Sequence, residues 1–223
     1  AVFTLGGKTY QLEKNCGEHH LHGCFSRKIY EVKYFGDTLL MEAESPDGED
    51  GFPGKLKISV RYTLTDDNTF RMDYRVSSDA DTIVNLTNHS YFNLDGGGDV
   101  LNQKLRIYAS RYLEGNNQCC PTGAILPVAD TPMDFTAGKL IGREIDTGFA
   151  QTTMVGGGYD HCYVIDRARG SSQSICAWAT SDKTGISMKL YTTQPGIQLY
   201  TANFLQDCPS PGKGGKPLQK YGG

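Results

Sequence analysis

The stretch Lys55-Leu56-Lys57-Ile58-Ser59-Val60-Arg61-Tyr62-Thr63-Leu64 alternates apolar and polar residues without a break. Leu56, Ile58, Val60, Tyr62 and Leu64 fall on one face and charged or hydroxyl side chains on the other, the period of two that marks a half-buried strand. Thr65-Asp66-Asp67-Asn68-Thr69 follows with turn chemistry, and Phe70, Met72, Tyr74 and Val76 alternate beyond it. The three segments read as an antiparallel hairpin. Working outward, a second hairpin pairs residues 175–180 with 186–193 across Ser181-Asp182-Lys183-Thr184-Gly185. Further strands are expected over 29–35, 38–44, 82–94, 104–110, 159–165 and 197–204. Only residues 137–145 could hold a turn or two of helix, and glycines there argue against more. Many strands at short spacing with Gly/Pro turns between them predict an all-β protein, a large β-sandwich with little helix. No repeat or long linker divides the chain, so one domain over residues 1–223 is expected.

Charge and composition narrow the function. The 223 residues carry 22 Lys+Arg against 25 Asp+Glu, a formal net charge of −3, with no long basic run. A nucleic-acid partner is therefore not expected, because such binding rests on neutralising many phosphates. No apolar stretch approaches the roughly 18 residues of a membrane span. The seven cysteines are odd in number and scattered, with no C-x-x-C, which reads as reduced thiols and a cytoplasmic location rather than a disulfide framework. The tail from Cys208 to Gly223, with Lys213, Lys216 and Lys220, reads as a solvated loop.

Three constellations carry chemistry. In Asn85-Leu86-Thr87-Asn88-His89-Ser90-Tyr91-Phe92-Asn93-Leu94, an extended backbone puts Thr87, His89, Tyr91 and Asn93 on one face. Such a face is poor core but suits a polyhydroxyl ligand, and imidazole titrates near neutrality, so His89 could act as general acid or base. The plainer reading is a strand histidine hydrogen-bonded for structural reasons. In Gly156-Gly157-Gly158-Tyr159-Asp160-His161, the Asp160 carboxylate opens a strand and could accept two sugar hydroxyls, or simply cap its own turn. No helix pattern follows the glycines, so they are not a phosphate cradle. Cys16-Gly17-Glu18-His19-His20-Leu21-His22-Gly23-Cys24 invites a zinc reading, but no distant second pair of ligands accompanies it. A ligand-contacting His22 is the better expectation.

Taken together, these segments resemble the aldose 1-epimerase (galactose mutarotase) family. The matching residues are Leu21-His22-Gly23, Ser45 to Gly54, Asn85 to Leu94, Thr131-Pro132-Met133-Asp134-Phe135, Gly158-Tyr159-Asp160-His161, and Pro195 to Phe204, in the family's order and across nearly the whole chain. The resemblance implies a sandwich of the galactose-mutarotase type with a sugar cleft on a concave sheet face. It also implies interconversion of the α and β anomers of free aldoses such as galactose and glucose. By motif, His89 would be the acid, Ser90 and Tyr91 would stand beside it at the sugar, His22 would contact hydroxyls near the ring oxygen, and Asp160 and Gln198 would hold others. The partner implied is the free sugar alone, with no metal or organic cofactor, and the protein would be a monomer or weak dimer. The family's general base, a Glu, and a sugar-binding Arg match no residue here, and Cys24 stands where a second glycine is usual. The family's N-terminal strands and C-terminal closing strands are likewise unmatched, which would leave sheet edges and apolar faces open and favour self-association. A non-catalytic sugar-binding protein on the same sheet is the competing reading. An epimerase acting on a sugar phosphate would need an Arg/Lys cluster that does not stand beside these motifs.

Overall fold

The computed structural model describes the backbone of residues 1–223 and every side chain except that of Lys213. Contacts gather into two compact units, Ala1–Asn88 and His89–Gly223. The first holds a two-stranded ribbon, β1 (Val2–Leu5) with β2 (Lys8–Gln11), and a four-stranded antiparallel sheet. That sheet runs β3 (Glu31–Phe35), β4 (Thr38–Ser45), β5 (Leu56–Leu64), β6 (Phe70–Ser78) in simple meander order.

The hairpin that opened the sequence reading is β5–β6, in register from Leu56 opposite Ser78 to Leu64 opposite Phe70. Leu56, Ile58 and Val60 are buried as the alternation requires. Burial fails at the turn end, where Leu64 and Phe70 are exposed. The turn closes through Thr65 N–H to Thr69 O at 3.0 Å, and Asn68 takes φ 63°, a left-handed conformation that asparagine tolerates better than most residues. Strand β3 is exposed along its length.

The second unit is a sandwich of two antiparallel four-stranded sheets. One runs β10 (Lys139–Leu140), β7 (Lys104–Ile107), β12 (Ser174–Thr180), β13 (Ser187–Thr192); the other runs β14 (Gly196–Tyr200), β11 (Asp160–Val164), β8 (Arg111–Gly115), β9 (Pro121–Pro127). Alternate residues of the facing strands make the core. Leu105, Ile107, Ala177 and Ala179 come from the first sheet, and Tyr112 and Tyr163 from the second, with Met133, Phe135 and Tyr159 filling the middle. The buried tyrosines keep their hydroxyls satisfied, Tyr163 donating to Met133 O at 3.0 Å and Tyr159 to Pro132 O at 3.1 Å. The β12–β13 hairpin lies where the second alternating pair predicts it.

Three expectations are corrected. Residues 82–94 form no strand: an alternating pattern assigns faces, but a strand also needs a neighbour for its backbone ladder. The segment is instead held by side chains. Asn88 donates to the Tyr62 hydroxyl at 3.0 Å in the first unit, and Asn93 donates to Gly98 O and Gly222 O in the second. Helix appears outside 137–145 as well, in α1 (Ala150–Met154), a single turn too short to show a period. Within 137–145 there is only a 3-10 turn, Ile141–Glu144. The tail is not simply solvated. The Tyr221 hydroxyl donates to Gly157 O, its backbone bonds Val100 and Ala202, and the Lys220 ammonium donates to Gly156 O at 2.8 Å.

Candidate functional site

The two sequence-nominated polar groups of the second sheet meet. Asp160 is the first residue of β11 and Gln198 lies on β14, which pairs with β11 so that Asp160 stands opposite Tyr200 and Cys162 opposite Gln198. Side chains of this diagonal reach each other, and the Gln198 amide donates to Asp160 Oδ1 at 2.8 Å. Both line a depression of about 180 Å³ walled by Leu113, Glu114, Gly115, Cys119 and Pro121. A larger depression, about 250 Å³, lies on the sheet of the first unit between Glu42, Lys57, Ser59 and Arg75. Its charges belong to an exposed sheet face, whereas the smaller one has a fixed carboxylate–amide pair at its edge, so the smaller one is the candidate site.

Burial pushes the Asp160 carboxyl above the usual carboxylate range, while the Gln198 amide and the electrostatic pull of His89 draw it back. The pull of His89 places that imidazole within electrostatic reach of Asp160. The rest of the geometry agrees: the His89 ring stands 5.4 Å from Tyr91, and Tyr91 stands 5.9 Å from Tyr200, the residue opposite Asp160. His89, Ser90 and Tyr91 are exposed. His89, Tyr91, Asp160 and Gln198 thus gather on one side of the second unit, with Ser90 between the first two in the chain. Tyr200 completes the group; only its place in the Pro195–Phe204 block marked it in sequence.

Beneath the site lies a buried lock. Tyr159 donates its N–H to Thr201 Oγ1 at 2.9 Å, and that hydroxyl donates to Asn203 Oδ1 at 2.6 Å. The Asn203 amide donates to Val155 O at 2.8 Å and Tyr159 O at 3.2 Å. Gly158 fits against this knot because it has no side chain.

His22 belongs to the first unit. It is exposed, with φ 65°, followed by Gly23 at φ 64°, so two consecutive left-handed residues shape the loop that carries it. The neighbouring His20 is engaged within that unit, its Nδ1–H donating to Glu13 O at 2.7 Å and its Nε2 3.8 Å from the Asp50 carboxylate. Among the described residues, no group of three or more His, Cys, Asp or Glu gathers as a metal would need. None of the helices among the described residues is long and apolar enough to cross a membrane.

The sandwich is shared with known structures. A GalM/aldose epimerase homologue from C. elegans superposes with a TM-score of 0.88 at 30% identity, over 99% of this chain and 66% of that one. A galactose 1-epimerase from Lactobacillus acidophilus shares the fold with a TM-score of 0.78 at 23% identity, covering 99% of this chain and 66% of its own. This is the galactose-mutarotase type of β-sandwich. The sequence model of the aldose 1-epimerase family matches residues 1–222, and the chain belongs to that family. It is 36% identical over 216 residues to an aldose 1-epimerase of Haemophilus influenzae, covering 94% of this chain and 62% of that protein. It is 36% identical over 227 residues to a galactose mutarotase of Sus scrofa, covering 100% of this chain and 64% of that protein. The chain therefore spans somewhat more than three-fifths of the length of these curated relatives.

Burial of the Asp160 carboxylate bears on stability. Its proton is held more tightly in the folded than in the unfolded chain. Its contribution to stability is therefore greatest at acid pH and declines as pH rises from the ordinary carboxylate range through the folded value, so at neutral pH the buried charge opposes folding. Asp160→Asn keeps the acceptor for Gln198 and removes the charge. The expected result is a higher melting temperature than the parent at pH 7, with the gap narrowing towards pH 4. Calorimetric melting at the two pH values reads the effect.

Proposed function

We propose that this chain carries the sugar-binding and acid groups of an aldose 1-epimerase acting on free aldohexoses such as galactose and glucose. The single observation behind this reading is the Asp160–Gln198 pair at 2.8 Å with His89 in electrostatic reach of it. A carboxylate and a primary amide side by side present acceptors and a donor to adjacent ring hydroxyls, and an imidazole close by can give or take a proton.

The chemistry follows from those groups. His89 as an acid protonates the ring oxygen of the bound aldose while a base takes the proton of the anomeric hydroxyl, and the ring opens to the aldehyde. Rotation about the bond between the first two carbons turns the other face of the carbonyl to the hydroxyl, and the reverse proton transfers close the ring as the other anomer. Asp160 and Gln198 hold hydroxyls so that the sugar does not drift during the rotation. Ser90 and Tyr91 are the further sugar contacts in this reading. The partner is a neutral, free sugar.

Polarimetry on freshly dissolved α-D-galactose and α-D-glucose, at neutral pH and low buffer concentration, tests this. Acceleration of the approach to anomeric equilibrium is expected. Galactose binding seen by titration without acceleration would favour the second reading, a sugar-binding protein that uses the same carboxylate–amide pair without chemistry. Neither binding nor acceleration would sink both.

A further inference from the structure

We propose that His161 and Gln151 are positioning residues for Asp160: a buried neutral imidazole, clamped by the Gln151 amide, fixes the backbone of Asp160 and so sets where its carboxylate stands at the pocket. The functional consequence rests on reading Asp160 as a sugar-holding group; the geometry does not.

The backbone explains why a clamp is needed. Tyr159 turns its N–H and C=O towards Thr201 on the β14 side. Strand geometry alternates, so the N–H of Asp160 faces the β8 side. There β8 pairs with β11 only over Tyr163 and Val164, which leaves Asp160 without a paired residue on that side. The imidazole of the next residue supplies the acceptor, and Asp160 N–H donates to His161 Nδ1 at 3.2 Å.

The proton on that imidazole is placed by its other neighbour. Gln151 Oε1 accepts the Gly115 N–H at 2.8 Å and its Nε2 donates to Gly115 O at 3.2 Å, so the Gly115 peptide fixes which end of the amide is oxygen. His161 Nε2 lies 3.1 Å from that same oxygen. An amide oxygen only accepts, so Nε2 carries the proton and Nδ1 is left bare for Asp160. His161 is 2% exposed, with the Tyr112 ring edge-on at 5.7 Å.

The titratable side chains around His161 include Tyr112 and Glu114 on β8, Cys119 in the loop after it, and Asp160 and Cys162 on its own strand; helix α1 offers none, and β14 places Leu199 opposite. Burial draws His161 down to about 4, in keeping with a neutral ring. A second proton would put an N–H against the Asp160 N–H and break the contact. Gly115 lines the same pocket as Asp160 and Gln198, so the clamp ties two sides of the site together.

Imidazole ¹⁵N spectra of the full chain are the first test, and need no sugar. His161 is expected as the Nε2–H tautomer from pH 5 to 8 without titrating. An Nδ1–H tautomer, or titration at an ordinary histidine pH, would overturn the inference. The second test follows the Asp160 carboxyl by ¹³C shift. In His161→Ala its titration should return towards the ordinary carboxylate range and galactose affinity should fall about tenfold, one neutral hydrogen bond's worth. His161→Asn offers an oxygen near the position of Nδ1 and should restore both. A folded His161→Ala chain whose Asp160 titrates as in the parent refutes the positioning role.

Should His161→Ala fail to fold, Gln151→Glu answers the same question. Its carboxylate raises the titration of His161 into the pH 5 to 8 range, and Asp160 should then shift in step with it; indifference of Asp160 counts against the clamp. A parent that passes the spectroscopic tests but does not bind galactose leaves the clamp standing and removes the sugar reading alone.

Discussion

In the His89→Ala chain, the proposed acceleration of α-D-galactose mutarotation above its spontaneous rate should fall about 10²- to 10⁴-fold from the parent's, the range over which a positioned general acid or base contributes. The expectation follows from where the imidazole stands. It is exposed, lies 5.4 Å from the Tyr91 ring, and acts electrostatically on Asp160. In the proposed mechanism its loss removes the proton donor without touching the Asp160–Gln198 contact on β11 and β14. Galactose affinity should therefore change far less than the rate, separating an acid from a mere ligand. Stability should hardly move, since His89 is exposed and outside the core, and a melting curve checks this. Partial rescue by added imidazole would tie the loss to the missing proton transfer. An unchanged rate in a folded His89→Ala chain would remove His89 from the mechanism.

Gly158→Ala should cost about 3 kcal/mol or more, a large share of the 5–15 kcal/mol that holds a typical domain together. A Cβ there would lie 2.0 Å from Asn203 Oδ1 and 2.6 Å from Thr201 Oγ1. Both atoms are fully committed: Thr201 joins Tyr159 N–H to Asn203, and Asn203 reaches Val155 and Tyr159. Thr201 and Asn203 are each 1% exposed, so neither can swing into water. Either the methyl overpacks the knot or the knot opens and strands buried donors, and each outcome costs kilocalories. The urea midpoint should drop with the m-value unchanged. Asn203→Ala should be costly alone yet less than additive with Gly158→Ala, because the smaller side chain vacates the space the methyl needs. An additive pair would mean that the clash is not with Asn203. The same variant should loosen Asp160, two residues on, and weaken galactose binding.

The same residues show how far sequence reading reaches. Leu56, Ile58 and Val60 alternate and are buried, because a period of two leaves one face for the core whatever the partner strand is. Asp160 was nominated both by its place at the opening of a strand and by the family's motifs, Gln198 by the motifs alone. That they touch is a matter of register, Asp160 opposite Tyr200, and no local signal encodes which strands become neighbours. Residues 82–94 have strand alternation yet form no strand, for the converse reason. Gln151 sits in a five-residue helix turn, too short to leave a period, so its bond to His161 could not be foreseen.

By itself, then, the sequence determined the class of protein. Alternating strands without helical periodicity require sheets packed on sheets, balanced charge argues against a polyanionic partner, and the motif blocks mark the chain as one of the aldose 1-epimerase family. Tertiary structure alone decided what those residues do to one another. The raised Asp160 carboxyl, the neutral His161 and the fit of Gly158 each depend on burial and on partners tens of residues away. Desolvation and close packing are properties of the space a folded chain encloses, and that space does not exist until distant segments meet.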